Sequence, residues 1–76
     1  MTTAFILINT ETGSEEEVKK KLSELEEVVE VYAVYGVYDL VVKLEAESKE
    51  HIKTGIFQKI RKINKIQSTM TMFVTE

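Results

Sequence analysis

Val31 to Ala46, VYAVYGVYDLVVKLEA, is the stretch that most narrows what this chain can fold into. Its β-branched and aromatic residues favour strands, and Gly36 near its middle supplies a backbone angle that other residues resist. Strands joined across so short a link pair antiparallel, so the stretch reads as a hairpin. The first strand runs from Val28 to Tyr35. Val29, Val31, Ala33 and Tyr35 point one way, and Val28, Glu30, Tyr32 and Val34 the other. Tyr38 to Ala46 is the second, with Tyr38, Leu40, Val42 and Leu44 on a dry face and Asp39, Val41, Lys43 and Glu45 on a partly polar one.

The flanks supply one strand and one helix on each side. Residues 4–9, Ala-Phe-Ile-Leu-Ile-Asn, are apolar on both faces, the mark of a strand covered on both sides. Ser14, with Glu17 three residues on, predicts a capping box, and Val18, Leu22 and Leu25 give the following helix a narrow apolar stripe. Ser48 opens a second helix with Ile52, Ile56, Ile60 and Ile63 as its buried stripe and Phe57 beside it. Gly55 within that helix predicts close packing against another backbone. The last strand is Thr69 to Val74, with Met70, Met72 and Val74 opposing Thr69, Thr71 and Phe73.

The order β-α-β-β-α-β, with right-handed crossovers, puts both helices on one face of a four-stranded antiparallel sheet. That is an α+β, ferredoxin-like sandwich, and residues 1–76 form one domain. A chain this short buries only about 60–65% of its unfolded surface, so its core is marginal. It has no cysteine to form a staple, which fits a reducing, cytoplasmic setting. The remaining route to stability is self-association. The helix-free side of the sheet is predicted to carry an apolar face on the order of several hundred Å², covered by the sheet of a second copy. No apolar run is long enough for a membrane span, and no leader precedes the first strand.

Residues 11–30 are rich in glutamate and residues 49–65 in lysine. A basic helix is one signature of nucleic-acid binding. The net charge of −3 favours instead a solvated face, or one that meets the acidic helix of a neighbour. Catalytic chemistry is sparse: there is no phosphate loop, no ligand cluster for a metal, and no implied cofactor. His51 stands beside Glu50, and adjacent residues do not share a helix face, so the two form no dyad. Tyr35, Phe73 and Tyr32 could stack RNA bases on an open sheet, but no basic-Gly-aromatic motif accompanies them. What stands out is Asp39 at the entry to an apolar strand, Gly36 close by, and the hydroxyls of Ser68, Thr69 and Thr71. A carboxylate for an ammonium, and N–H or hydroxyl donors for a carboxylate, make the inventory that a free amino acid needs. Turn and strand preferences alone also account for every one of these residues.

The run Tyr35-Gly36-Val37-Tyr38-Asp39-Leu40-Val41-Val42-Lys43-Leu44, a helix, and then Ile66-Gln67-Ser68-Thr69-Met70-Thr71 resembles the effector domain of the Lrp/AsnC (feast/famine) transcriptional regulators. The likeness covers essentially the whole chain, and Gly-x-Tyr-Asp leading into an aliphatic strand is its most specific part. It implies a domain that is not an enzyme and that pairs through its sheets, its dimers assembling into rings, commonly octamers, with an amino acid effector between dimers. By motif position it implies that Gly36 and Asp39 hold the effector's charged backbone groups. Ser68, Thr69 and Thr71 would add to the site from the last strand, and Tyr35 and Tyr38 would wall the pocket. Asp39→Ala is then expected to abolish binding and leave the fold intact. Such regulators carry a helix-turn-helix ahead of this domain, whereas here the first strand starts at residue 4. A stand-alone form is therefore expected, acting with itself or with full-length relatives and without direct DNA contact. The competing reading is a small dimeric α+β barrel enzyme, a cofactor-free oxygenase or isomerase, with His51, Tyr32 or Asp39 as acid or base. The ACT domain, another amino-acid sensor of similar topology, lacks support because no glycine-centred turn leads into the first helix as that module requires, although Gly13 comes near.

Overall fold

The apolar run near the N-terminus forms strand β1, Thr2–Thr10, in a computed structural model that describes residues 1–75. Ala4, Ile6, Ile8 and Thr10 are buried on one side, and Thr3, Phe5, Leu7 and Asn9 are half-buried on the other, the period-two alternation of a strand. Helix α1 (Glu15–Ser23), strand β2 (Val28–Ala33) and strand β3 (Leu40–Ala46) follow. Helix α2 is α-helical over Lys49–His51, π-helical over Ile52–Ile56 and α-helical again over Phe57–Arg61, and β4 is Ile66–Phe73. The sheet is antiparallel throughout in the order β2-β3-β1-β4. Val18 and Leu22 of α1 share one core with Ile52, Ile56 and Ile60 of α2 and with Ile6, Ile8, Leu40, Val42 and Leu44 of the sheet, so both helices cover the same face. The architecture is the expected ferredoxin-like βαββαβ sandwich. Each large aliphatic buried there contributes about 1.5–3 kcal/mol, which makes this single layer the main source of stability.

The π turn explains how α2 keeps one buried stripe. A strict four-residue spacing overshoots the α-helical turn by about 40° per step. The wider π turn from Ile52 to Ile56, closed by the Phe57 N–H on the Ile52 carbonyl, undershoots and restores the phase for Ile60. Gly55 lies in this turn, but it does not mark a close backbone contact. A Cβ there would meet only the His51 ring, 3.9 Å away. At the other end of the helix, Ser48 caps as expected, its Oγ accepting the His51 N–H at 3.1 Å.

Three local expectations are corrected. Ser14 makes no side-chain cap bond and is buried, while Glu17 pairs with Lys65 Nζ at 2.9 Å, so the capping box does not form. In β2 the pairing steps from Val28↔Leu44 to Glu30↔Lys43, leaving Val29 as a bulge. The bulge reverses the alternation: Val28 joins Val31 against the core, rather than Glu30 and Tyr32 on the far side. A second irregularity lies between Asn9 and Thr10, which pair with Ser68 and Ile66, so β4 begins earlier than its Thr-rich segment suggests.

The helix-free face carries Leu7 between Val41 and Met70, with Phe5 opposite Met72 and Tyr32 opposite Val41. Met70, Met72 and Tyr32 are each nearly half exposed in the single chain. Lys65–Glu17 and Lys59–Glu27 join the basic and acidic segments within one chain, so part of the lysine-rich face is already neutralised. No helix among the described residues is long and apolar enough to cross a membrane.

Candidate functional site

The hairpin sequence sets the site's first half. Ala33↔Leu40 is the last strand pair, and the Val34 N–H donates to the Asp39 carbonyl at 2.9 Å, leaving Tyr35-Gly36-Val37-Tyr38 as a four-residue tip. Gly36 has φ +153°, a conformation that strains any L-residue, so glycine is required at this point. Tyr35 is fully exposed and Val37 nearly so. Both strands are shorter here than the sequence implies, and Tyr38 leaves the β3 alternation altogether. It does not join Leu40, Val42 and Leu44 in the core; its hydroxyl lies 3.9 Å from Met70 Sδ, on the helix-free side.

Asp39 is half-buried and doubly fastened to β1. Its N–H donates to the Ile8 carbonyl at 3.0 Å, and its Oδ2 accepts the Thr10 N–H at 2.9 Å. The carboxylate thus has a structural duty that the sequence did not reveal, and Asp39→Ala cannot be assumed to spare the fold. Oδ1 has no hydrogen-bond partner among the described residues. Across the same end of β1, Asn9 Nδ2 donates to Ser68 Oγ at 3.2 Å. Asp39 and Ser68 therefore both attach to the C-terminal end of β1, from opposite sides. Asn9, which links that end to the last strand, was not singled out in the sequence because an amide ending a strand has many ordinary explanations.

The last-strand hydroxyls do not share one face of the strand. Ser68 pairs with Asn9 on the helix-free side, whereas Thr69↔Ile8 and Thr71↔Ile6 place those two threonines on the helix side. There Thr69 and Thr71 line a groove of about 360 Å³ between β4 and the C-terminal half of α2, with Ile6, Ile60, Ile63, Ile66, Phe57 and Arg61, and Gln67 and Ser68 also border it. Within one chain the structure brings Tyr38, Asp39 and Ser68 to one end of the sheet, and it turns Thr69 and Thr71 to the helix side, where Ser68 borders their groove. Arg61 reads in the sequence as one more outward-facing cation on a solvated helix face, and nothing there sets it apart from the lysines around it.

Two further polar contacts lie elsewhere. His51 Nε2 is 3.0 Å from Glu27 Oε2, and Lys59 Nζ is 3.4 Å from the same carboxylate, whose side chain is 11% exposed. The His51 hydrogen bond, with help from Lys59, holds the Glu27 carboxyl below its usual range. The Tyr32 hydroxyl donates to Glu30, which raises its pKa and makes it a poor acid at neutral pH. No group of three or more His, Cys, Asp or Glu that could hold a metal occurs among the described residues.

The family model for the Lrp/AsnC ligand binding domain matches residues 3–76. The fold is similar to the crystal structure of FFRP-DM1, at 49% identity over 97% of this chain and 99% of that one, with a TM-score of 0.91. It is likewise similar to PHS023 from Pyrococcus horikoshii, at 47% identity over 100% of this chain and 92% of that one, with a TM-score of 0.92. Similarity to E. coli AsnC is 30% over 99% of this chain but 51% of that longer one, with a TM-score of 0.90. No match was found among curated proteins.

Proposed function

The chain belongs to the Lrp/AsnC ligand-binding domain family, and from that premise we propose that it is an amino-acid effector domain whose ligand is shared between subunits. The family's domain is regulatory and not enzymatic. The observation that carries the reading is the separation just described. An exposed aromatic tip with Asp39 stands at one end of the sheet, and the Thr69 and Thr71 hydroxyls open into a groove on its other face. One subunit cannot close these around a small zwitterion, whereas the tip of one copy set against β4 of another can.

In that arrangement Asp39 Oδ1 accepts from the effector's ammonium. The Gly36 N–H with the Thr69 and Thr71 hydroxyls donates to its carboxylate, Ser68 borders the site, and Tyr35 and Tyr38 wall the pocket. The helix-free face, with Leu7, Val41, Met70 and Met72, is covered by the sheet of a second copy, and the resulting dimers close into a ring, an octamer being the expected size. The tip and the groove are different surfaces, so their contact is heterologous, the kind that closes rings. An effector seated between dimers favours the assembly that builds its site, by the ratio of its affinities for the two states. Longer regulators that share this surface are its partners in the cytoplasm, and DNA contact is left to them. Titration calorimetry against the twenty amino acids tests the reading; no heat from any of them into the millimolar range refutes it.

The barrel-enzyme alternative needs an enclosed polar cavity between sheet and helices. The centre of that space is filled by aliphatic side chains from Ala4 to Ile60, most with no measurable exposure, and the groove beside β4 is open rather than enclosed.

A further inference from the structure

The helix-free face of the sheet is apolar on one half and charged on the other. Along β1 and β4 it carries Phe5, Leu7, Met70 and Met72. Along β2 and β3 it carries Glu30, Lys43 and Glu45, with Glu30 and Phe5 on either side of Lys43 and Thr3 opposite Glu45. The Glu30 carboxylate is already engaged, accepting from the Tyr32 hydroxyl. Lys43 and Glu45 are half-buried in the single chain, yet neither makes an ion pair among the described residues. This face therefore holds one unpaired cation and one unpaired anion.

A second sheet laid on the face takes water away from both. An ammonium or a carboxylate buried without an opposite charge is costly, and each is tolerated only when paired. A two-fold contact joins the same surface to itself, so a contact made by one copy is repeated by the other. One cation and one anion on a self-pairing face satisfy that condition and give two equivalent ion pairs. A cover with no carboxylate leaves the ammonium alone, and a cover with no cation leaves Glu45 alone; a copy of this face offers one of each.

We infer that Lys43 pairs with Glu45 of a second copy across the sheet-to-sheet contact, and that this pair of charges sets how the two copies are oriented. The inference rests on the sheet pairing proposed above and adds to it the residues that fix its geometry. Phe5, Leu7, Met70 and Met72 supply apolar area, but burial of apolar area has no direction. A copy slid or turned on the same apolar half still covers it, and strands Lys43 and Glu45. Complementary charges suppress such wrong arrangements.

Light scattering at micromolar protein without effector, on Lys43→Glu, on Glu45→Lys and on their equimolar mixture, tests this. Each variant alone sets like charges against each other at both contacts and should have the mass of one chain, 8.7 kDa. A mixed pair joins opposite charges at both contacts, so the mixture should return to the wild-type mass. Mixing does not repair a bond made within one chain. A mixture that stays at 8.7 kDa, or either variant alone at the wild-type mass, overturns the inference and leaves the sheet pairing standing. A wild type of 8.7 kDa overturns both. Circular dichroism melting shows whether each variant is folded. In place of a reversal that does not melt cooperatively, Lys43→Met or Glu45→Gln should raise the dissociation constant of the pair by ~10-fold or more, and an unchanged constant overturns the inference.

Discussion

Asp39 has two roles in this account, and two substitutions pull them apart. Asp39→Asn keeps a carbonyl oxygen for the Thr10 N–H, now 2.9 Å from Oδ2, and removes only the charge. A hydrogen bond to a charged group contributes about 1.5–3 kcal/mol and a neutral one about 0.5–1.5, so this variant should lose about 1 kcal/mol of stability. Asp39→Ala strands the Thr10 N–H at a half-buried position, which costs about 1–3 kcal/mol. In a domain of 76 residues each kcal/mol moves the melting temperature by about 4–8 °C. Calorimetric melting should therefore rank wild type above Asn above Ala. Binding should rank differently. Both variants lose the ammonium's counter-charge, worth about 1.5–3 kcal/mol, so both should bind the effector about 10–150-fold more weakly, measured below either melting point. If Asp39→Asn binds as the wild type does, Asp39 is only the fastener of the loop and the proposed site is wrong. If Asp39→Ala melts with the wild type, the Thr10 bond contributes nothing.

Other expectations reach the rest of the molecule. Glu27 has a folded pKa below its unfolded value near 4.5, so it contributes stability above that value which is lost as pH falls through the folded one. Glu27→Gln should flatten this acid limb, and parallel melting curves for the two proteins from pH 3 to 7 would show that the His51 contact is irrelevant. Thr10 Oγ1 is buried with no hydrogen-bond partner among the described residues, so Thr10→Val should raise stability by up to about 1 kcal/mol; a loss of that size in denaturant unfolding would mean the hydroxyl is satisfied. Met70→Glu sets a charge in the middle of the helix-free face beside Leu7 and should leave a monomer of 8.7 kDa by light scattering. An unchanged mass would show that this face is not the one covered.

Hydrophobic periodicity made the order of elements legible, because each buried stripe follows its own period: alternate residues in β1 and β3, every fourth in α2. Where one extra residue enters, that logic fails. The bulge at Val29 shifts Val28 across the sheet relative to Glu30, and no composition signal marks it. The end of the hairpin was misjudged for a related reason. Tyr35 and Tyr38 are strong strand formers, but Gly36 at φ +153° and the Val34–Asp39 bond close a wider tip that frees them from the pleat. Long-range polar contacts were not legible at all. The Asp39–Thr10, Asn9–Ser68 and Glu27–His51 bonds join residues at least 24 positions apart, and only the folded sheet brings them together. Site chemistry was half visible. The residue types for an amino acid could be read from the chain, but Thr69 and Thr71 facing away from Ser68 could not be weighed until the register of β4 was known.

The central claim is that ligand and assembly are coupled, and mass in solution tests it most directly. Light scattering at micromolar protein, without effector and then with millimolar leucine, isoleucine, valine or methionine in turn, should show an oligomer throughout. At least one of these amino acids should drive it to a heavier or less dissociable ring. A mass of 8.7 kDa, that of one chain, in every condition would contradict the account.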